Sequence, residues 1–456
     1  MDIPRRQFLA SSLSLAGWSA TRTWAGNEKR PNIVLILMDD MGWTDLSCFG
    51  STFYETPNID RLCNSGMKFT HAYSTCTVCS PTRASLLTGK YPARLHLTDW
   101  IPGHERDNAR LLIPPFNHQL PLEETTIAEV LQKAGYTTAS IGKWHLGTEP
   151  YYPEKQGFDI NIAGTKNGQP PSYFSPYKIA TLPEGPDGEY LTDRLTDEAI
   201  TFVTANKNRP FFLYWPHFSV HTPLQAKKGL IEKYKTKIVP GQKQSHPIYA
   251  AMIEDVDRGV GRLMETLKSM NLLDDTIVIF TSDNGGLVSS TSNAPLRGGK
   301  GTAYEGGVRV PLIFHFPAKI KPGQICSCPV ASIDLFPTLL ALAGIKNLPD
   351  LDGCSMIDLL KKPTASLRRS ALYWHYPHYH PLGATPYSAV LKGSLRLIEF
   401  LEDGKIELYD LEQDPGEQHD VSQERPEQCK KLLAELGAWR RSVDAQMPTL
   451  NPAYKP

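Results

Sequence analysis

The residues best able to do chemistry fall in a few short groups. Cys79-Ser80-Pro81-Thr82-Arg83 sets a thiol at the start of a helix pattern and a guanidinium four residues on. Ser80 suits an N-cap and Pro81 the first helical position. Cys79 is then expected just before a helix N-terminus, where free N–H groups and the dipole favour an anion. One helical turn from Cys79, Arg83 can point back towards it. Asp39-Asp40 and Asp283-Asn284 each follow an apolar run and offer hard oxygen donors, which suit calcium rather than zinc. Lys143 and His145 alternate on an extended segment and so share a face. His221-Thr222-Pro223 and Lys300-Gly301 add an imidazole and an ammonium.

Each group also has a plainer reading. Asp39-Asp40 could be a polar strand end, Asp283-Asn284-Gly285 a turn, Lys143 a surface cation and His145 a packed ring. Cys76-Thr77-Val78-Cys79 could be a redox or zinc C-x-x-C pair. That last reading has no matching second pair, and it leaves Pro81 and Arg83 without a purpose.

The elements that must position these groups are legible. Asn32 to Met38 is a continuous apolar run rich in branched residues, the pattern of a parallel strand buried on both faces. Similar strands are expected at Met67–Tyr73, Tyr136–Ile141, Phe211–Trp215, Thr276–Thr281 and Val310–Phe314. Helices are expected from Thr56-Pro57 to near Gly66, after Pro81, and over 126–133, 191–205 and 249–270. Strands alternating with helices predict a large, mostly parallel α/β sheet. In such sheets functional residues gather beyond the C-terminal strand ends, and Asp39, Lys143, His217 to His221 and Asp283 all stand there. The stretches 94–124 and 147–191 carry little periodicity and read as ordered insertions over the site. From 367 onward, short runs separated by Gly393-Ser394 and Asp403-Gly404 predict a small antiparallel sheet, with a helix from about 426 to 443 packed on it.

Together the motifs resemble a known family. C-x-P-x-R followed by Thr88-Gly89, then Gly142-Lys143-Trp144-His145, His221-Thr222-Pro223 and the Lys300 segment, match the type I sulfatases of the alkaline-phosphatase-like superfamily in type and order. The resemblance runs from Arg30 to about Asp420. It implies an alkaline-phosphatase-like fold, with a catalytic unit over 26–366 and an antiparallel subdomain over 367–456. It also implies that a formylglycine-generating maturation enzyme oxidises Cys79 to formylglycine (3-oxoalanine), whose hydrated aldehyde attacks sulfur. One calcium ion would be held by Asp39, Asp40, Asp283, Asn284 and modified residue 79. Arg83 would hold the hydrate and support the metal carboxylates. Lys143 and Lys300 would bind sulfate oxygens. His221 would serve the leaving oxygen and His145 a hydroxyl of the hydrate. His217, Glu305 and Arg309 read as packing or loop-holding residues.

Two segments read as substrate-facing: 95–104, with Asp99, Trp100 and His104, and 374–380, with His375 and His378. Aromatic and hydrogen-bonding side chains together suit a sugar. Both segments resemble those of bacterial exo-acting carbohydrate sulfatases, and most closely enzymes that remove 4-sulfate from galactose or N-acetylgalactosamine. A 6-sulfate or aryl sulfate specificity stays open. So do a phosphonate or phosphodiester hydrolase of the same superfamily and an inactive sulfoglycan-binding relative.

Composition sets the remaining bounds. The 456 residues carry a formal net charge of zero, which gives no global case for nucleic acid. No apolar run suits an integral membrane segment in the mature chain. Pro4-Arg5-Arg6-Gln7-Phe8-Leu9 resembles a twin-arginine export motif, so residues 1–25 are expected to act as an export signal read by that machinery, and the mature protein is expected in the periplasm or outside the cell. An ordinary secretory signal is the alternative. Of eight cysteines, seven remain if Cys79 is converted, and spacing alone does not assign their pairing.

Overall fold

The computed structural model describes residues 30–347 and 349–455, so the expected export signal, 1–25, lies outside the described residues. Nine strands form the main sheet. In order across it run Val330–Ala331, Met67–Tyr73, Arg309–His315, Thr276–Ser282, Asn32–Met38, Phe211–Pro216, Thr137–Ile141 and Ile160–Ile162, with Gln324–Cys326 also paired to Met67–Tyr73. Pairing is parallel except where Arg309–His315 meets its two neighbours. The mostly parallel α/β sheet is the expected one.

The central strand shows why the sequence reads so clearly. Val34, Ile36 and Met38 enter one core, and Ile33, Leu35 and Leu37 enter the other. A strand covered on both faces has no polar positions to interrupt its run. On the first face it meets helices Leu191–Ala205 and Pro247–Ser269, through residues such as Phe202, Val256 and Leu263. On the other it meets Cys79–Thr88, Ile127–Lys133 and Leu335–Leu342, through Leu86, Leu131 and Leu339. Thr126 and Glu129 close a capping box at the start of Ile127–Lys133.

The helix that carries the cysteine starts earlier than expected. Val78, in extended conformation, is the N-cap and Cys79 is the first helical residue. Ser80 does not cap. Its hydroxyl donates to the backbone carbonyl of His145 at 3.0 Å and accepts the Ile101 N–H at 3.2 Å, so it ties the helix to two loops instead. Pro81 still sits in the first turn, where its missing N–H leaves no broken bond. Leu335–Leu342 was not anticipated, because a nearly all-apolar stretch shows no 3.6-residue stripe.

Beyond the main sheet, strands Leu372–Tyr376, Tyr387–Lys392, Leu395–Phe400 and Ile406–Asp410 form an antiparallel sheet in that order, with helix Pro426–Ser442 beside it. Its core is shared with the first unit: Trp374, Leu397, Leu408 and Leu436 cluster with Tyr73, Val78 and Tyr91. Trp374 Nε1 donates to Ser74 O at 2.8 Å. A further strand pair joins Leu111–Leu112 of the first insertion to Thr449–Leu450. Among the described residues, no helix is long and apolar enough to cross a membrane.

Candidate active site

Neighbouring strand ends bring the expected residues to one place. Asp39 and Asp40 follow the central strand. Met38 O accepts the Asp283 N–H at 3.1 Å, and Lys143 N–H donates to Pro216 O at 2.8 Å. Gly142, with φ +131°, permits the second junction, since a Cβ there would lie 1.9 Å from Pro216 O. Gly285 permits the approach of the loop that carries Lys300, because its Cβ would lie 1.8 Å from Gly306 O.

The site has two layers. Beneath lies a fully buried charge network. Arg83 Nε donates to Asp283 Oδ2 at 2.8 Å, Nη1 donates to Lys143 O at 3.1 Å, and Nη2 stands 3.6 Å from Asp39 Oδ1. Lys143 Nζ donates to Asp39 Oδ2 at 2.7 Å. Asp283 Oδ1 takes the Asp40 N–H at 3.3 Å. Asn284 Nδ2 donates to Asp40 Oδ1 at 2.8 Å, while its Oδ1 is buried with no hydrogen-bond partner.

Above lies the floor of a cavity of about 940 Å³, lined by Asp40, Cys79, His145, His221 and Lys300. Lys300 Nζ donates to Asp40 at 2.8 Å, and Cys79 Sγ is 3.6 Å from Asp39 Oδ1. His221 Nε2 stands 3.6 Å from Asp40 Oδ2. Asp39, Asp40, Cys79 and His221 each offer one ligand atom, and all four atoms lie within 4.8 Å of one another. His221 was not expected in that cluster. Asp283 was, but its two oxygens serve Arg83 and the Asp40 backbone.

Both histidines have a tautomer set by their neighbours. His221 Nδ1 is 2.9 Å from Thr222 O, so it carries the hydrogen and leaves Nε2 facing the cavity. His145 Nε2 is 2.6 Å from Ile101 O and donates there, which leaves Nδ1 bare and buried. Asp40 and His145 both sit in left-handed backbone conformation, at φ 63° and 60°. Such residues cost about 1 kcal/mol or more and cluster at working sites.

Burial and charge compete throughout. Burial works against ionising Asp40, yet Lys300, His221 and Lys143 hold its carboxyl well below the usual range. At Asp283 burial wins over Arg83 and pushes the carboxyl up to about 6. Burial pushes the Cys79 thiol up to about 12 against Lys143 and Lys300. Burial and then Lys300 push His221 down to about 3.

The cavity walls differ from expectation. Trp100 lines the cavity. Asp99 stands behind it, fully buried, with Oδ1 taking the Tyr376 hydroxyl at 2.6 Å and the Trp100 N–H at 2.8 Å. His375 points into the small sheet: Nδ1 meets Ser388 Oγ and Nε2 meets Gln446 O, each at 2.8 Å. His378 is buried too, with Nε2 on Thr98 Oγ1 at 2.8 Å and its ring against Phe116. His104 does not line the cavity but lies within electrostatic reach of His380. The wall is instead built by His118 and Gln119, by 166–169, and by 380–382. In a strand running into a loop, which of three nearby histidines faces a cavity depends on the bend after Tyr376, and spacing does not fix that. His217 packs as expected, its ring 4.4 Å from Trp215.

Comparison with known proteins agrees with this geometry. Residues 31–345 match the sulfatase family, and 299–441 match the C-terminal family of N-sulphoglucosamine sulphohydrolase. A sulfatase of Formosa agariphila is 32% identical over 92% of this chain and 90% of its own. Human N-acetylgalactosamine-6-sulfatase is 35% identical over 74% of this chain and 67% of its own. The crystal structure of Ps i-CgsB with k-i-k-neocarrahexaose superposes with a TM-score of 0.79 at 32% identity, covering 92% of this chain and 95% of that one. A phosphonate monoester hydrolase of Agrobacterium radiobacter, 19% identical with a TM-score of 0.67, shares the fold alone. A buried carboxylate–cation network under a cysteine, on this sheet and within this range of relatives, places the chain in the sulfatase family: it is a sulfuric ester hydrolase of the alkaline-phosphatase-like superfamily.

Proposed function

We propose that the protein removes sulfate from a galacto-configured carbohydrate, acting at the chain end through a formylglycine made from Cys79. The observation that carries this reading is the two-layer floor: three carboxylates and three cations lie interleaved under a cavity with polar and aromatic walls. The network is balanced in charge as it stands. A divalent cation would leave an excess of positive charge that an anionic sulfate ester offsets.

The residues fit such a cation. Asp39, Asp40 and residue 79 converge, and the partnerless Asn284 oxygen is an acceptor in want of a positive charge. Oxygen-rich donors suit calcium, which would act as a Lewis acid on a sulfuryl oxygen. Asp283 would complete the set, since Arg83 holds its Oδ2 and its Oδ1 takes only the Asp40 N–H at 3.3 Å.

The cysteine itself supports modification. A thiol pushed up to about 12 stays protonated near neutrality and is a poor nucleophile. As a hydrated aldehyde, formylglycine supplies a hydroxyl nucleophile for sulfur. Lys300 and His221 meet the sulfate from the cavity side. Arg83 and Lys143 act from below, holding Asp283 and Asp39 in place. His221 Nε2, bare of hydrogen, can take the proton that the attacking hydroxyl loses and pass it to the leaving oxygen, and His145 can take a proton at its bare Nδ1. Cys79 is 2% exposed on a helix, so a maturation enzyme must reach it before the chain closes. That order agrees with conversion in the cytoplasm followed by twin-arginine export of a folded protein, with 26–366 as the catalytic unit and 367–456 as the subdomain that adds one wall.

For the sulfate position, the 4-O reading rested partly on Asp99, His375 and His378, which stand back from the cavity. The relatives named as N-acetylgalactosamine-6-sulfatases favour 6-O as the second reading. The test is sulfate release from 4-O- and 6-O-sulfated galactose and N-acetylgalactosamine by protein made with the maturation enzyme, with Cys79→Ala as blank. Release from one position, with the blank falling on the order of 10⁴-fold or more, is the expected result. Full turnover by the blank sinks the formylglycine reading. No release from any of these sugars, with Cys79 shown converted, sinks the carbohydrate reading.

A further inference from the structure

Seven cysteines other than Cys79 remain, and the structure separates one pair from the rest. Cys326 Sγ donates to Pro363 O at 3.3 Å, and Cys429 Sγ to Ser422 O at 3.6 Å. Cys48 and Cys63 instead line one small cavity together, near enough for each thiol to act on the other. Cys48 lies in the short turn Ser47–Phe49 and Cys63 in helix Pro57–Asn64.

Asp60 fixes the two elements together. Its Oδ1 accepts the Cys48 N–H and the Thr56 hydroxyl, both at 2.9 Å. Thr56 Oγ1 in turn accepts the Ser47 N–H at 3.0 Å. Cys63 is one helical turn after Asp60, so it faces the same turn that Asp60 anchors. Lys68 Nζ donates to Cys48 O at 2.8 Å and brings a cation beside the sulfurs. Both thiols line an open cavity of about 260 Å³ that also touches Lys68 and Gly323, beside strands Met67–Tyr73 and Gln324–Cys326, and that shares no lining residue with the active-site cavity. A metal is a poor reading. Among the described residues, the cluster of metal-ligating side chains is the one at the active-site floor, and Cys48, Cys63 and Asp60 do not make a second.

We propose that Cys48 and Cys63 are a disulfide-forming pair that closes by exchange with a small-molecule or protein disulfide. The neighbouring Cys48 thiol, opposed by burial and aided by Lys68, draws the Cys63 thiol down, whereas the Cys48 thiol is pushed up. Either thiol can open the exchange, and Cys63 does so in the order that Cys48→Ser tests. It loses its proton and bonds to one sulfur of the incoming disulfide, whose S–S bond breaks and releases one thiol. Cys48 then loses its proton and attacks Cys63 sulfur, which breaks the mixed bond and releases the second thiol. Two protein thiols are oxidised, and one external disulfide is reduced to two thiols. The bond would staple the turn Ser47–Phe49 to helix Pro57–Asn64.

Oxidised glutathione is the probe, applied to the folded, full-length protein. The remaining thiols are then alkylated and the chain is cut with trypsin, and cleavage after Arg61 separates the two cysteines into different peptides. The expected product is those two peptides linked, lighter by two hydrogens and parted by dithiothreitol. Cys48→Ser should instead stop at a stable glutathione adduct on Cys63. Alkylation of both cysteines after oxidation, or a lasting glutathione adduct on Cys63 in the unsubstituted protein, overturns the proposal.

Discussion

The floor of the cavity and its walls are built on different principles. The floor hangs from strand ends, and each of its ionic groups answers another: Arg83 to Asp283, Lys143 to Asp39, Lys300 to Asp40. The walls come from insertions and from the small C-terminal sheet, and they present side chains such as Trp100, Asn167 and His380 with few mutual bonds. A charge network in a dry interior tolerates little change, because each lost partner strands a buried charge. A wall of loops can be rebuilt one contact at a time. The contrast teaches that the reaction and the substrate preference of this fold are separable.

Arg83→Met should show the largest loss. Removing the guanidinium leaves Asp283 and Asp39 without their shared cation, and stability by urea denaturation should fall by about 3–5 kcal/mol. A loss under about 1 kcal/mol would mean that the lower layer is not held by charge, and the contrast would break there. His221→Ala comes next. It removes a floor group but leaves the lower layer whole, so kcat should drop about 10²–10³-fold with little change in the unfolding curve.

Asp99 tests the region behind the wall. Burial, opposed by the Tyr376 hydroxyl and the Trp100 N–H, pushes its carboxyl up to about 7 from the ordinary 3.8. The folded state thus holds this proton more tightly than the unfolded chain does. Its contribution to stability is complete below about pH 4 and is lost as pH rises to about 7. Unfolding measured across that window should show a decline, and Asp99→Asn should flatten it. An unchanged slope would separate Asp99 from that decline. Trp100→Ala should have the smallest effect: KM for a sulfated sugar up about tenfold with kcat within about twofold, the size of one aromatic contact. A kcat loss as large as that of His221→Ala would show that wall and floor are not separable after all.

What the sequence made legible follows the same division. The central strand was readable because burial on both faces leaves an unbroken apolar run, and the residues just past such runs were readable as a site because parallel strands converge there. Asp39, Lys143, His221 and Asp283 stand where that logic puts them, whereas Cys79 and Arg83 on a helix and Lys300 in a loop are legible only through their motifs. The helix start at Cys79 was misplaced by two residues, because the Ser80 hydroxyl is spent on His145 and Ile101 rather than on a cap. The wall was not readable. The His375 and His378 rings turn towards Ser388 and Thr98, and only the backbone bend beyond them brings His380 to the cavity. Such a bend is set by tertiary contacts, which leave no periodic trace in the chain.

One short strand pair bears on how the protein is made. Leu111–Leu112 is joined to Thr449–Leu450, and nearby the Asn451 N–H donates to Arg110 O at 3.0 Å. The insertion that overhangs the cavity is thus secured by residues more than three hundred positions later. During synthesis the ribosome would have released the sheet, the charge network and Cys79 well before the residues that pin this insertion. Contacts so distant in sequence form late. The nascent chain would therefore pass through a stage with its floor in place and its roof unfastened, the interval that the proposed conversion of Cys79 calls for.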